Sequence, residues 1–299
     1  MKPQAIRCYS QRNNKPIFAF LASKSLPLAV KYSIKSLSMS VVKAKKHLGQ
    51  HFLTDKGIAN RIVESLVNTE KYNQVLEVGP GMGILSDFLL KREDLQTYLI
   101  DIDTESYHFL NEKYPQLNDR LINGDFLKLD FDAIFPKQFA IIGNFPYNIS
   151  SRILFKILDN RHKVVEMVGM FQKEVALRCA SPAGTKEYGI LSVFLQAYYK
   201  IEYLFTVKPG TFNPPPKVHS AVIRLTRNEV ETLNCDEKLF WRVVKAGFNQ
   251  RRKTLRNAVS AVMPKDKMDD HIYFEKRAEQ LTVDDFVALT QHLSKLMEA

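Results

Sequence analysis

The sequence predicts an α/β fold in which a parallel sheet carries helices on both faces and is followed by a small domain that is helical only. Three observations carry this reading. From residue 58 the chain alternates helix-period stretches (IANRIVESL, ILSDFLLK, ISSRILFKIL) with short apolar runs (QVLEV, TYLID, FAIIG, VVEMVGMF), and helices set between strands imply parallel crossover units. After Val207 the turn-rich KPGTFNPPPK leads into KVHSAVIRL, whose alternation suits a strand. From about residue 230 the pattern has helical period alone. The expected organisation is an extension over 1–38, an α/β domain over 39–227 and a helical domain over 228–299.

With 299 residues and 45% apolar content, the chain is long enough for one large core and a smaller satellite. Residues 1–38 hold seven Lys or Arg, no acid, many Ser and no sustained apolar period, and are expected to be disordered. An organellar transit peptide has this composition, and so does sequence upstream of a start at Met39; the second is favoured. The net charge of +11 is concentrated early: ten basic residues precede the first acid, Asp55, leaving 33 basic against 32 acidic residues in the rest. Charge therefore leaves a nucleic-acid partner open without requiring one. Cys8, Cys179 and Cys235 form no Cys-x-x-Cys pair, which suits a reducing compartment. The apolar stretch from Ile17 to Val30 is broken by Lys24 and Pro27, so no membrane span is expected. The protein is expected to be soluble and cytoplasmic, or organellar if the extension is a transit peptide.

The strongest local signal is Glu77-Val78-Gly79-Pro80-Gly81-Met82-Gly83, placed after the QVLEV strand and before the ILSDFLLK helix. Glycines there let the backbone approach a nucleotide-like ligand and leave helix N-terminal amides free. The dehydrogenase fingerprint would need glycine at 84, where Ile84 stands. About twenty residues on, Asp101-Ile102-Asp103 ends the second strand, where an acid can accept both hydroxyls of an unphosphorylated ribose. Asp125 follows the third strand. Three acids in register at carboxyl ends of strands mark the ligand edge of an open sheet.

The fourth strand ends in Asn144-Phe145-Pro146-Tyr147. An adenine's exocyclic nitrogen is a weak nucleophile because its lone pair is delocalised into the ring. The Asn144 side-chain oxygen and the Phe145 carbonyl could each accept one of its hydrogens and reduce that conjugation. Tyr147 could stack on a flipped base.

Seven segments in order, HLGQHFL (47–53), EVGPGMG, NFPYNIS (144–150), FQKE (171–174), YGILSV (188–193), FNPPPKVHSAVIRL (212–225) and FNQRRKTLRN (248–257), resemble the universal small-subunit ribosomal RNA adenine dimethyltransferases. The resemblance covers roughly residues 43–295. It implies a class I S-adenosylmethionine methyltransferase, Rossmann-like, with a mostly parallel seven-stranded sheet and a small helical C-terminal domain. It implies dimethylation of two adjacent adenosines in a hairpin near the RNA's 3′ end during small-subunit biogenesis, on a pre-30S-type particle, by a monomer. The implied cofactor contacts are His51, Leu53, Gly79, Gly81, Asp101, Asp125 and Asn144, and Phe212 would cover the target base opposite Tyr147. Three positions depart from the family pattern. Asp101 stands where Glu is frequent and could need help from Asp103. His51 replaces a common Asn, which favours a backbone contact, and Phe145 replaces Leu or Pro.

The expected RNA-facing element is LFWRVVKAGFNQRRKTLRNAV. At 100° per residue Phe240, Val244, Phe248, Leu255 and Val259 share a face, with Lys245, Arg252, Lys253 and Arg256 beside it. Arg251 falls inside the apolar stripe, so either the helix breaks near Asn249 or Arg251 is buried with a partner. The seven His form no ligand-spaced cluster, and no metal is expected. Rival readings are a non-catalytic assembly or transcription factor of the same fold, a large-subunit RNA adenine methyltransferase and, more distantly, a nicotinamide dehydrogenase.

Overall fold

In the computed structural model, which describes residues 42–298, each apolar run named above is a strand; the extension expected over 1–38 lies outside the described residues. The strands are β1 (Phe52–Leu53), β2 (Gln74–Val78), β3 (Gln96–Asp101), β4 (Leu121–Asn123), β5 (Phe139–Asn144), β6 (Val164–Gln172), β7 (Tyr199–Val207), β8 (Phe212–Asn213) and β9 (Ser220–Arg227). Seven join in the order β4-β3-β2-β5-β6-β9-β7. The first five are parallel, and β9 runs antiparallel to both β6 and β7. This is the mostly parallel seven-stranded α/β sheet that the alternation and the resemblance led us to expect. The strand at β7 was not read from the sequence, because its residues are half-buried along most of their length instead of alternating.

Both faces of the central strands are buried, and side-chain alternation divides them between two apolar clusters. On β2, Val75 belongs to one cluster, Leu76 and Val78 to the other; on β5, Ala140 and Ile142 are separated from Ile141 in the same way. The helices α1 (Lys56–Glu64) and α2 (Ser86–Leu89) pack on the Val75 side, and α3 (Thr104–Lys113) covers Leu99 and Leu121. On the other face lie α4 (Phe131–Ile134), α5 (Ser150–Asp159), α6 (Lys173–Ala180) and α7 (Ile190–Gln196). The remaining helices, α8 (Glu237–Asn249), α9 (Leu255–Ala258) and α10 (Val283–Glu298), contribute Phe240, Val243, Leu255 and Phe286 to that same cluster. Trp241 of α8 sits 3.7 Å, centroid to centroid, from Phe194 of α7. Beyond residue 227 the described chain has no strand, as its periodicity predicts. The long helix expected there is divided: α8 ends at Asn249 and α9 begins at Leu255.

Candidate active site

A cleft with about 970 Å³ of empty space opens where the carboxyl ends of β2, β3, β4 and β5 meet. The turn after β2 supplies its floor. Gly79 and Gly81 have φ of +69° and +57°, the left-handed region that glycine enters without a Cβ penalty. A Cβ at Gly79 would meet nothing within 4 Å, which leaves an open cradle, whereas one at Gly81 would lie 2.7 Å from the Phe52 ring.

Asp101 ends β3 with 4% exposure and lines the cleft. Its carboxylate accepts the Gly81 amide at 3.1 Å and the Asp103 amide at 2.8 Å, so it braces the glycine turn. Burial pushes the carboxyl up to about 6, against the lowering effect of the Asp103 and Gly81 amides. Asp103 is not among the residues that line the cleft. It caps α3 through the Glu105 amide, pairs with Lys45 and takes the Gln50 amide at 3.3 Å. Asp125 lines the cleft after β4 and caps the following turn at the Leu127 amide, 2.9 Å away. Glu77 was quoted in the glycine motif but given no role; it is 1% exposed, and its carboxyl accepts the Ser86 hydroxyl at 2.6 Å. Burial pushes it up to about 8, which favours the protonated carboxyl over the carboxylate.

One side of the cleft is closed by the segment running into β1. Phe52 and Leu53 pair with Asn213 and Phe212 of β8, and the Thr54 amide reaches the Thr211 carbonyl at 2.8 Å. Within this strap the His51 carbonyl accepts Asn144 Nδ2 at 2.8 Å. That bond consumes a donor of the amide and leaves Asn144 Oδ1 as an acceptor at the end of β5. Phe145 buries its ring against Phe171, 4.9 Å away, and gives its own amide to the Met170 carbonyl, so only its backbone is in a position to serve the cleft.

Tyr147 lines the cleft and is tethered at both ends. Its hydroxyl lies 2.5 Å from the buried Ser220 Oγ, and its ring is stacked on His51 at 5.4 Å and 26°. Neither partner was read as such from the sequence, since the contacts span strands far apart in the chain. Phe212 does not take the place assigned to it. Its β8 pairing turns it into the apolar cluster with Leu53 and Ile62, at 4% exposure, and it lines no part of the cleft. Leu53 is buried in that cluster too and borders a small recess shared with Glu77, Gly79 and Asn144.

The basic residues expected on one helix flank are dispersed. Lys245 on α8, and Arg252 and Lys253 in the turn after it, are exposed. Arg256 is engaged within the protein: it pairs with Asp270 at 3.1 Å and Glu275 at 3.6 Å and donates to the Asp269 carbonyl at 2.8 Å. Of the two alternatives for Arg251 the helix break is the one observed: α8 ends at Asn249, and the Arg251 side chain is not buried but part-exposed, donating to the Lys186 carbonyl at 2.6 Å. Among the described residues no His, Cys, Asp and Glu group could hold a metal, and no helix is long and apolar enough to cross a membrane.

An open glycine cradle, a buried carboxylate at the end of β3 and apolar walls from Ile100, Ile102 and Phe126 suit a nucleoside with an amino-acid tail, and this sheet order is that of a class I S-adenosylmethionine-dependent methyltransferase. The chain belongs to the ribosomal RNA adenine dimethylase family, whose profile matches residues 41–295. It is 58% identical over 256 residues to a ribosomal RNA small subunit methyltransferase A of Cytophaga hutchinsonii, covering 86% of this chain and 99% of that protein. To the protein of the same name from Flavobacterium johnsoniae it is 53% identical over 256 residues, covering 85% and 97%. The crystal structure of a dimethyladenosine transferase from Plasmodium falciparum superimposes with a TM-score of 0.69 at 26% identity, over 83% of this chain and 98% of that one. The chain is thus an adenine dimethyltransferase that uses S-adenosylmethionine.

Proposed function

We propose that this protein dimethylates the exocyclic amines of two adjacent adenosines in a hairpin near the 3′ end of small-subunit ribosomal RNA, acting as a cytoplasmic monomer on a pre-30S-type particle. The observation that carries the chemistry is the Asn144 amide, held by the His51 carbonyl at 2.8 Å with its oxygen left free. S-adenosylmethionine, when bound, supplies a methyl group made electrophilic by the sulfonium. The residues that would hold it are Gly79 and Gly81 by their backbone, Asp101 at the ribose, Asp125 at the adenine, and the His51–Leu53 strap.

Asn144 Oδ1 and the Phe145 carbonyl accept the two hydrogens of the target amine and draw its lone pair out of conjugation. Tyr147 stacks on the flipped base, a contact worth about 1 to 3 kcal/mol. Fixing the amine in line with the methyl group then supplies much of the rate by proximity. Residues 39–227 form the catalytic part. Residues 228–299 contact RNA through Lys245, Arg252 and Lys253, which suit phosphate because they are exposed and no acid among the described residues pairs them.

The test is incubation with labelled cofactor and unmethylated small subunits, followed by nucleoside mapping. Label in two neighbouring dimethyladenosines is the expected result. Label confined to large-subunit RNA, or none, overturns the reading.

A further inference from the structure

We infer that His51 is the proton acceptor for the target amine, a role distinct from the cofactor contact that its position suggests. The inference rests on the methyl-transfer reading above. His51 Nδ1 lies 2.8 Å from the Pro214 carbonyl. A carbonyl can only accept, so in the neutral ring Nδ1 carries the hydrogen and Nε2 carries the lone pair. Among the described residues Nε2 has no hydrogen-bond partner. The ring lines the cleft and is stacked on Tyr147, while the main-chain carbonyl of the same residue holds Asn144. The cleft at the Asn144 end of β5 is therefore also lined by an imidazole whose Nε2 carries an unshared lone pair.

No other group in the cleft competes for this task. The titratable side chains lining it besides His51 are Asp101 at the end of β3, Asp125 after β4, Tyr147 and Arg152 on α5. Within the strap, Lys45 is paired with Asp103 and Glu105. Asp101 and Asp125 stand at the nucleoside end and are engaged by backbone amides. Arg152 has no lone pair to offer, and Tyr147 is already bonded to Ser220. Asn144 Oδ1 and the Phe145 carbonyl accept hydrogen bonds but are far too weakly basic to keep a proton. In the step itself, the amine nitrogen forms its bond to the methyl carbon while the carbon–sulfur bond breaks with its electron pair going to sulfur. The nitrogen's surplus proton leaves the acceptor that held it, Asn144 Oδ1 or the Phe145 carbonyl, for His51 Nε2. The resulting imidazolium keeps its Nδ1–H on Pro214 and releases the Nε2 proton to water before the second methyl transfer.

Single-turnover methylation of unmethylated small subunits at saturating cofactor separates this role from a structural one. The wild-type rate is expected to rise with pH from the acid side, because an imidazolium cannot accept. His51→Asn, which installs the residue common in the family, and His51→Gln should be slower by about tenfold or more at neutral pH and lack that rise. His51→Ala should be slowed likewise and partly restored by added imidazole. Circular dichroism and an unshifted Tm report that the variants are folded. His51→Asn at the wild-type rate overturns the proposal. So does a slowed variant that keeps the wild-type pH profile and ignores imidazole, since His51 would then only support Tyr147. Absence of dimethyladenosine from the wild-type reaction would instead sink the functional reading itself.

Discussion

Asn144 has one amide to divide between two jobs, and the geometry divides it: Nδ2 goes to the His51 carbonyl, and Oδ1 remains for the amine. An acceptor that matters mainly in the transition state lowers turnover when removed. Asn144→Ala is thus expected to cut turnover by about a hundredfold or more, by analogy with loss of an oxyanion-hole donor, while RNA affinity persists; wild-type turnover in a folded Asn144→Ala protein would refute the mechanism. From the sequence alone Tyr147→Phe is a mild change, because stacking needs only the ring. The Ser220 contact alters that expectation. Losing it leaves a buried hydroxyl short of a partner, at about 1 kcal/mol, so Tyr147→Phe and Ser220→Ala should each raise the Michaelis constant several-fold without adding in the double variant. The tetrapeptide was legible because neighbouring residues spell it. The tethers of its side chains were not, since they come from residues 93 and 73 positions away. Titration gives a separate handle on Asp101 and Glu77. Burial raises Asp101 from 3.8 to about 6 and Glu77 from 4.5 to about 8, so in those windows the folded chain keeps protons that the unfolded chain releases. Stability therefore falls as pH rises through them. Asp101→Asn and Glu77→Gln should flatten the decline in Tm from pH 4.5 to 8, and an undiminished slope would show that other groups cause it.

At the scale of elements, the glycine turn and the strap form one device. The turn was predicted from its position between strand and helix; the strap's packing on it was not, because no local pattern announces that Phe52 will lie over Gly81. Two alanine substitutions separate the parts. Both add a Cβ at positive φ, at a cost of about 1 kcal/mol. Gly79→Ala meets no protein atom, so it should fold nearly as well as wild type yet bind the cofactor at least tenfold more weakly, its methyl group filling the cradle. Gly81→Ala collides with the Phe52 ring and should lower Tm further by dislodging the strap. Equal cofactor affinity in Gly79→Ala and wild type, measured by calorimetry, would move the ligand off this turn. The C-terminal helices illustrate the opposite failure of sequence reading. A single helical wheel put Phe240, Val244, Phe248, Leu255 and Val259 on one apolar face; four are buried and Phe248 is half-buried, although the chain breaks between Phe248 and Leu255. Arg256, on the flank of that wheel, is held by Asp270 and Glu275, and counting 100° steps cannot find acids that fold back from a later loop. Arg252→Glu with Lys253→Glu should weaken RNA binding and flatten its salt slope by about one unit per lost contact, with cofactor binding unchanged. An unaltered slope would place the RNA elsewhere.

Across the whole molecule, the change of periodicity near residue 230 marks a change of architecture more clearly than a change of core. Strands cease there, yet the apolar cluster on one face of the sheet continues through α7 into α8, α9 and α10. Phe194 of α7 is fully buried, against Trp241 at 3.7 Å and Phe240 at 6.1 Å. An ion pair between Arg161 and Glu237, 3.0 Å long, ties α8 to the turn after α5. Hydropathy patterns identify which residues are apolar and at what period, but not which neighbour covers them; the end of the strands at Arg227 was legible as a shift in element type, and the continuity of the core across it was not. If residues 228–299 were an autonomous module, a chain of residues 39–227 would unfold as the full protein does. The packing predicts otherwise. Removing the C-terminal helices uncovers Phe194 and the rest of the α7 face, and each large apolar side chain returned to water forfeits about 1.5 to 3 kcal/mol, which is a large part of a marginal total. The 39–227 chain is therefore expected to lose its single cooperative transition, or to melt at least about 10 °C lower, and to aggregate on warming. A Tm matching that of the full chain would show that the sheet's core closes on itself before residue 228 and that the C-terminal helices serve RNA alone.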